Sequence, residues 1–450
     1  MNSLFRYLNK NKLVYFIILL FFVAKLITFS NYKIVWWDSA VYIGMGKYIF
    51  SLGKSGLWEV SRPLVWPLIL GFLWRTGLDV ILIGRVVEIV FGSLCILLTY
   101  FIGKKLFNEK VALLASIFLT LSPTFFFFNG IMLTEIVSTF FSLLAIYFFI
   151  EKRHFFSGII FGIAFMTRFL QLFVFIALFF AILMYFNKKN LKNLMKVTLG
   201  FIIAVAPFLI LNQILYNNIL FQFLQQWHLS KNSGWFNYHP LGFYFIELFK
   251  ENFLYLLFGV GIILLYKNRD INKMLILFAF VLFFIFFNFI KQKEMRFMII
   301  LLPYMYLLVS YSIFYFFDHF KKTAKNLLVA IILIYFIYSS IMVYIHYKNE
   351  SHKINQYAVF QDKLQEISSN AKIWISNPIT AVLSDKKIDN LMYYPLFNDE
   401  KQKELTSKTA DFVFLDECSL ACKPNHIECE NSKNELLAFF KKEFKTIYYS

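Results

Sequence analysis

Charged residues are scarce in this chain: only 16% of its 450 residues are Asp, Glu, Lys or Arg, whereas 59% are hydrophobic and 21% are aromatic. A soluble protein of this size needs far more polar surface, so most of the chain must face lipid or pack within it. This composition excludes a soluble globular enzyme. It predicts a mainly α-helical, polytopic membrane protein.

Acidic residues are scarcer than basic ones: 27 Asp and Glu stand against 45 Lys and Arg, which gives a net charge of +18. The basic residues lie in short clusters between apolar runs, as in "GKKLFNEK" and "NKKNLKNLMK". This spacing is typical of membrane orientation rather than of a nucleic-acid-binding face. We therefore expect membrane lipids, and no nucleic acid, among the partners.

Cysteine is rare, and the four residues lack the spacing of a metal site. Cys95 lies within an apolar run, whereas Cys418, Cys422 and Cys429 lie near the C-terminus. If these three lie outside the cell, two of them can form a disulfide, and the spacing does not say which two. A small-residue cleavage site is also missing after the first apolar run, so we expect that run to remain as a span.

Apolar runs of about 20 residues, long enough to cross a bilayer, recur along the first 350 residues. One run, 155–186, would form a helix of roughly 48 Å if it were unbroken, so we predict a break at Thr167–Arg168. About eleven spans result, and with eleven all basic clusters fall on one side, which the positive-inside rule makes cytoplasmic. The predicted spans are 13–31, 79–103, 111–128, 133–150, 155–168, 169–186, 197–216, 252–266, 273–290, 297–317 and 326–347.

Eleven spans place the N-terminus inside the cell and the C-terminal region outside it. The segments 32–78, 129–134, 217–251 and 291–297 then also lie outside, and most of the unexplained polar residues gather on that face. Residues 1–349 form the predicted transmembrane domain.

Residues 350–450 are richer in polar and charged side chains than the rest of the chain. Within them, "AKIWISNPITAVLS" and "TADFVFLDEC" are typical of strands, and "NELLAFFKKEFKTIYYS" is typical of a helix followed by a strand. We predict a small external α/β domain here.

Two acids are prominent on the predicted outer face. Asp38 follows Trp36 and Trp37, and tryptophan is typical of the lipid headgroup level. Glu135 opens a span after a tight turn, and an acid entering an apolar helix is costly enough to indicate function. We interpret them as a paired catalytic site, with Asp38 as the base for an acceptor hydroxyl. The structural alternatives are a helix N-cap for Asp38 and a favourable helix N-terminus for Glu135.

Several basic side chains share the predicted face with these acids. Together they suit the phosphate of an anionic lipid, which arginine binds with two parallel hydrogen bonds. Other interpretations stay open, since Arg85 and Glu88 have the spacing of a structural ion pair on a helix. The candidate phosphate ligands are Arg62, Arg85, Arg168, Lys293 and Arg296.

His228 and His239 lie in the segment 217–251 beside Trp227 and Trp235. Interfacial anchoring is the favoured interpretation of both histidines. Binding of an acceptor or a metal is the alternative.

These motifs, in this order, resemble the GT-C superfamily of membrane glycosyltransferases, and in particular its protein O-mannosyltransferase and aminoarabinose transferase branch. "DSAVY" is similar to the family's Asp-Glu-Ala-Arg-Tyr pattern, "SRPLVWPLILG" to its basic-Pro-Pro-Leu segment, and "QKEMRF" to a His-Lys-Glu-x-Arg-Phe motif. The likeness extends over about residues 30–310. The matching positions are Asp38, Tyr42, Arg62, Lys293, Glu294 and Arg296.

The resemblance implies an inverting glycosyltransferase of the plasma membrane, with its active site facing outside. Its donor would be a sugar on a polyprenyl phosphate, and its acceptor a hydroxyl of a lipid, glycan or protein. A divalent metal stays open as a cofactor. The assigned residues are Asp38 and Glu135 for catalysis, Arg62, Arg85, Arg168, Lys293 and Arg296 for the donor phosphate, and Tyr42, Glu294 and His239 for substrate binding.

Two other classes of protein compete with the transferase. A lipid or polysaccharide transporter or flippase predicts charges in the middle of spans, paired halves with internal repeats, and broken helices. The sequence shows no such repeat. A lipid-binding scaffold without catalysis predicts the loss of the two acids, and both are present.

Overall fold

The computed structural model describes residues 11–28, 35–232, 237–350, 364, 367–368, 371–392 and 410–446. Within these residues the chain is mainly α-helical and contains one small sheet, as predicted. The α-helices are α1 (Lys12–Thr28), α2 (Trp37–Phe50), α3 (Val65–Arg75), α4 (Val80–Leu106), α5 (Glu109–Leu121), α6 (Pro123–Phe128), α7 (Thr134–Ile150), α8 (His154–Thr167), α9 (Leu172–Met184), α10 (Lys188–Tyr216), α11 (Phe221–Asn232), α12 (Phe243–Glu251), α13 (Phe258–Lys267), α14 (Ile271–Phe289), α15 (Leu302–His319), α16 (Lys322–Glu350), α17 (Ile379–Leu383) and α18 (Ile427–Glu443).

Several of the described helices are suited to a bilayer. By length and composition four can cross a membrane: α4, α10, α14 and the part of α16 from Lys322–Ile345. A fifth candidate is a bent pair, in which α12 and Phe253–Lys267 meet at 117°. Large apolar side chains along α10, such as Ile203 and Ile210, are exposed on the surface of the protein. A surface of this kind faces lipid, as expected of an integral membrane protein.

Two predicted runs are interrupted inside the bundle. The break predicted at Thr167–Arg168 is confirmed: α8 ends at Thr167, Arg168 is extended, and a 3₁₀ turn (Phe169–Gln171) leads into α9. The run 111–128, predicted as one span, is divided by Ser122, which is extended between α5 and α6. Pro123 favours this division, because proline is well suited to the first position of a new helix.

Glycine lets α2 and α3 approach closely. A Cβ atom added to Gly46 would lie 2.6 Å from the Pro67 carbonyl oxygen and 2.6 Å from the Gly71 nitrogen. A larger residue at Gly46 would therefore separate the two helices. This contact fixes the orientation of α2, whose first turn carries Asp38.

The described part of the C-terminal region contains three short strands together with α17 and α18. Its three strands, β1 (Ile373–Ile375), β2 (Asn390–Leu391) and β3 (Phe412–Phe414), are parallel in the order β2-β1-β3. The first predicted strand segment is shorter than expected and continues into α17. The helix predicted in the last segment is found as α18, whereas the strand predicted after it extends into residues 447–450, which lie outside the described residues. The disulfide joins Cys422 to Cys429.

This C-terminal unit packs directly on α2. The Lys47 ammonium group is buried and donates to the Val382 carbonyl at 2.9 Å and the Ser384 carbonyl at 3.0 Å. It also lies 2.9 Å from an Asp385 carboxylate oxygen. Since one hydrophobic cluster contains Val41 of α2 and side chains of the C-terminal sheet, the two predicted domains share a core.

Candidate active site

Five separate segments of the chain meet at one end of the helix bundle. Asp38 lies in the first turn of α2, Arg62 before α3, and Glu135 in the first turn of α7. Arg168 lies at the break between α8 and α9, and Arg296 lies in the 3₁₀ turn Met295–Ile300. Ion pairs join all five side chains. The structure therefore brings together residues that the sequence assigns to one face.

Asp38 contacts two guanidinium groups at once. Its Oδ1 atom lies 2.8 Å from Arg62 Nη2, and its Oδ2 atom lies 2.6 Å from Arg296 Nη1. Burial by itself raises the pKa of the Asp38 carboxyl, but the charges of Arg62 and Arg296 together outweigh burial and hold this pKa well below its usual range. Asp38 is thus an anion whose basicity is suppressed as long as both arginines stay in place.

Glu135 is more deeply buried than Asp38, with a side chain that is 1% exposed. Its Oε1 atom lies 3.0 Å from Arg168 Nη1 and 3.6 Å from Arg296 Nε. The same Arg168 nitrogen donates to the Thr134 hydroxyl at 3.0 Å. Because Arg296 contacts both acids, the predicted pair of Asp38 and Glu135 is linked through a shared cation.

Glu294 and Arg296 are two residues apart and contact each other. Arg296 Nε lies 2.7 Å from one Glu294 carboxylate oxygen, and Arg296 Nη2 donates to the other at 3.2 Å. The backbone of Glu294 is held by the Tyr244 hydroxyl through two hydrogen bonds of 3.1 Å. Tyr244 thereby connects α12 to the segment that carries Arg296.

Arg62 is positioned by two neighbours besides Asp38. Its guanidinium carbon lies 5.7 Å from the ring centre of Tyr42, one helical turn after Asp38. Its Nε atom donates to Glu59 at 3.0 Å, and Glu59 also accepts from the Ser61 hydroxyl. The sequence interpretation overlooked Glu59, although an acid three residues before a candidate phosphate ligand was a usable signal.

The turn before Glu135 is held by a different acid. Glu88 accepts hydrogen bonds from three backbone N–H groups, those of Gly130 at 2.9 Å, Met132 at 2.5 Å and Leu133 at 3.0 Å. Gly130 has φ +90°, a left-handed conformation that suits glycine. Glu88 therefore shapes the turn that presents Glu135.

Arg85 lies three residues before Glu88 on α4 and is buried. The described residues show no ion pair between Arg85 and Glu88, and none that links Arg85 to Asp38. The ion pair that the sequence left open is therefore not found in this part of the chain, because Glu88 faces the backbone of the turn.

Lys293 and His239 contact each other outside the ion-pair network. The Lys293 ammonium group donates to the His239 carbonyl at 3.0 Å and to the Ile290 carbonyl at 2.5 Å. The His239 ring stacks on Phe243 with ring centres 4.1 Å apart. Lys293 therefore supports the backbone of the loop, a role that sequence spacing alone does not reveal.

The acids of the network do not form an apparent metal site. Within the described residues, no group of three His, Cys, Asp or Glu side chains is arranged to hold a metal ion. Asp38, Glu135 and Glu294 all contact guanidinium groups instead. Such an arrangement is suited to an anionic ligand that competes for the arginines.

The chain is similar to known membrane glycosyltransferases. Residues 61–211 match the family described as dolichyl-phosphate-mannose-protein mannosyltransferase. The crystal structure of ArnT from Cupriavidus metallidurans bound to undecaprenyl phosphate is similar, with a TM-score of 0.65 and 10% sequence identity over 87% of this chain and 88% of that chain. The resemblance to GT-C membrane glycosyltransferases is confirmed.

A second similar structure is the oligosaccharyltransferase AglB from Archaeoglobus fulgidus, in complex with an inhibitory peptide and a dolichol-phosphate. It has a TM-score of 0.58 and 13% identity over 87% of this chain and 68% of that chain. No curated protein matches the chain. At these identities the structural likeness establishes the fold.

Proposed function

We propose that this protein is an inverting glycosyltransferase, which moves a sugar from a polyprenyl phosphate to an acceptor hydroxyl. The observation that carries the proposal is the position of Asp38 between Arg62 and Arg296. A carboxylate and several guanidinium groups at one place supply a base for the acceptor and a binding site for the phosphate that leaves.

The donor phosphate would bind to Arg62, Arg168 and Arg296. In the free protein these arginines contact Asp38, Glu59, Glu135 and Glu294. A phosphate competes well for them, since it accepts paired hydrogen bonds from arginine. As Arg62 and Arg296 turn toward the phosphate, Asp38 regains its basicity. Donor binding would thus activate the base.

The reaction uses the negative charge of Asp38 and the positive charges of the arginines. Asp38 takes the proton of the acceptor hydroxyl while the acceptor oxygen attacks the anomeric carbon. The bond between that carbon and the phosphate oxygen breaks, and its electron pair leaves with the polyprenyl phosphate. The arginines stabilise the developing negative charge, which is commonly a large contribution to catalysis. In-line attack inverts the anomeric configuration.

The similar structures support a lipid-linked donor. The crystal structure of ArnT has undecaprenyl phosphate bound, and the structure of AglB is a complex with an inhibitory peptide and a dolichol-phosphate. A polyprenyl phosphate is therefore the proposed carrier in this protein too. The acceptor is a lipid, glycan or protein hydroxyl.

The proposed site faces the outside of the plasma membrane. Nucleotide sugars are absent there, so an external transferase needs a sugar on a lipid carrier. Cys418 is an exposed free thiol of the C-terminal unit and provides a test of this orientation. An impermeant thiol reagent should label Cys418 in intact cells, whereas labelling that requires permeabilised cells would place this unit inside.

The activity is tested with purified protein and a panel of polyprenyl-phosphate sugars. Release of the lipid phosphate, dependent on an acceptor and absent in Asp38→Asn, is the expected result. Movement of the lipid between leaflets of a vesicle, without cleavage of its sugar, would favour the flippase instead.

A further inference from the structure

Another buried acid, Glu251, lies where helix ends meet. α5 ends at Leu121 and α6 begins at Pro123, with Ser122 extended between them. α12 ends at Glu251, and the chain bends by 117° before its continuation in Phe253–Lys267. The free carbonyls of helix C-termini carry partial negative charge. In secondary transporters, broken helices line the sites of bound substrates and ions.

Glu251 is 6% exposed, and its carboxylate has hydroxyl and amide partners. Its Oε1 atom accepts from the Ser122 hydroxyl at 2.5 Å, and its Oε2 atom accepts from the Thr124 hydroxyl and, at 3.3 Å, from the Thr124 backbone. Within the described residues, Glu251 forms no ion pair with lysine, arginine or histidine. Burying a carboxylate without a countercharge is unfavourable.

Three more buried polar groups near Glu251 form no hydrogen bond of ordinary geometry in the described structure, although Tyr306 lies beside Ser122 and Asn252, and Tyr335 lies beside Ser339. They are the hydroxyls of Tyr306 and Tyr335 and the side-chain nitrogen of Asn252. Both tyrosines are fully buried, lie close enough to Glu251 to interact with it electrostatically, and interact with each other. Because buried polar groups are normally satisfied, this group of side chains is incomplete as it stands.

We propose that Glu251, Ser122, Thr124, Tyr306 and Tyr335 form a binding site for a monovalent metal cation, with Na⁺ as the best match. One carboxylate neutralises one positive charge, and the other ligands are neutral oxygens, which suit a hard cation. The C-terminal carbonyls of α5 and α12 add partial negative charge. The cation would supply the missing countercharge and occupy the unused tyrosine oxygens.

This site is distinct from the Asp38 network but connected to it through α12. Glu251 ends that helix, and Tyr244 near its start holds the backbone of Glu294. The proposal depends on neither the sugar nor the reaction, so its test measures stability rather than transfer.

The test compares the apparent Tm of the full-length purified protein in NaCl, KCl and choline chloride at equal ionic strength. We expect NaCl to raise the Tm by about 3 °C or more relative to choline, because an ion that binds only the folded state stabilises it. Tyr335→Phe, which removes one oxygen ligand, and Glu251→Gln should both lose this shift. Tyr304→Phe is the matched control, since the Tyr304 hydroxyl is also buried and unpartnered but lies beside Ser142; it should keep the shift.

Equal Tm values in NaCl and choline chloride for the unaltered protein would overturn the cation site. Water, or protonation of Glu251, would then satisfy the buried polar groups instead. A Na⁺ shift that persists in Tyr335→Phe would overturn it too. If Glu251→Gln fails to fold, the Na⁺-dependent Tm shifts of Tyr335→Phe and Tyr304→Phe decide whether the cation site exists.

Discussion

Asp38 and Glu88 both lie near the turn formed by residues 129–133, and their partners differ in kind. Glu88 binds three backbone N–H groups of that turn. Asp38 binds guanidinium groups at the ends of long side chains, while its neighbour Ser39 donates to the Ile131 carbonyl at 2.6 Å. Backbone amides cannot leave without unfolding the turn, whereas guanidinium groups can turn to a ligand. The acid with movable partners is therefore the catalytic candidate, and the other is structural.

The sharpest contrast is expected between Asp38→Asn and Glu88→Gln. Asp38→Asn should lower transfer by at least about 100-fold, the lower end for loss of a general base, with little change in Tm. Glu88→Gln should instead leave a buried N–H without its acceptor and lower stability by about 1–3 kcal/mol, with transfer per folded molecule reduced by less than about tenfold. Transfer rates and thermal denaturation of both variants provide the comparison. Near-normal transfer by folded Asp38→Asn would mean that Asp38 is not the catalytic base.

Substitutions of Arg296 test whether the guanidinium groups that contact Asp38 bind phosphate. Arg296→Ala should weaken use of the lipid-linked donor by about 10- to 150-fold, the effect of losing a charge-assisted contact of roughly 1.5–3 kcal/mol. Arg296→Lys should recover only part of this loss, because lysine lacks the paired donors. Both are measured as kcat/KM for the donor.

Lys189→Ala is the control for Arg296. Lys189 is exposed at the start of α10. Tyr216 lies at the other end of this helix, where its hydroxyl accepts a hydrogen bond from Trp58 at 2.9 Å. Lys189 is therefore far from Trp58 and from the nearby Arg62. Loss of the Lys189 side chain should leave kcat/KM for the donor almost unchanged. Equal losses from both ends of the bundle would mean that the basic residues serve insertion or stability rather than phosphate binding.

A smaller effect is expected from Glu59, which orients Arg62. Glu59→Gln preserves size but weakens the contact to Arg62 Nε, so the donor KM should rise by about three- to tenfold, equivalent to roughly 0.7–1.4 kcal/mol. kcat should change little, because Glu59 does not contact the acceptor in the proposed reaction. A fall in kcat with an unchanged KM would assign Glu59 to the chemical step instead.

The sequence predicted which segments meet better than it predicted what each side chain contacts. Span length alone predicted the break at Arg168, and the distribution of charge grouped Asp38, Glu135 and Arg296 on one face. The direction of Lys293 was not predictable, since residues two or three apart on a short loop can face a ligand or the backbone equally well. Glu251 was overlooked because its hydrogen-bond partners, Ser122 and Thr124, come from a segment that is distant in the sequence.

Affinity for a polyprenyl phosphate shows whether Arg62 and Arg296 exchange an acid for a phosphate. In Asp38→Asn the guanidinium groups of Arg62 and Arg296 lose their competing anion. This variant should therefore bind the lipid phosphate about tenfold more tightly than the unaltered protein, or by roughly 1.4 kcal/mol, although its transfer of sugar is strongly reduced. Arg296→Ala should bind it more weakly. The measurement is a direct titration of each protein with the lipid in nanodiscs. Unchanged or weaker binding by folded Asp38→Asn would mean that Arg62 and Arg296 do not exchange Asp38 for the phosphate.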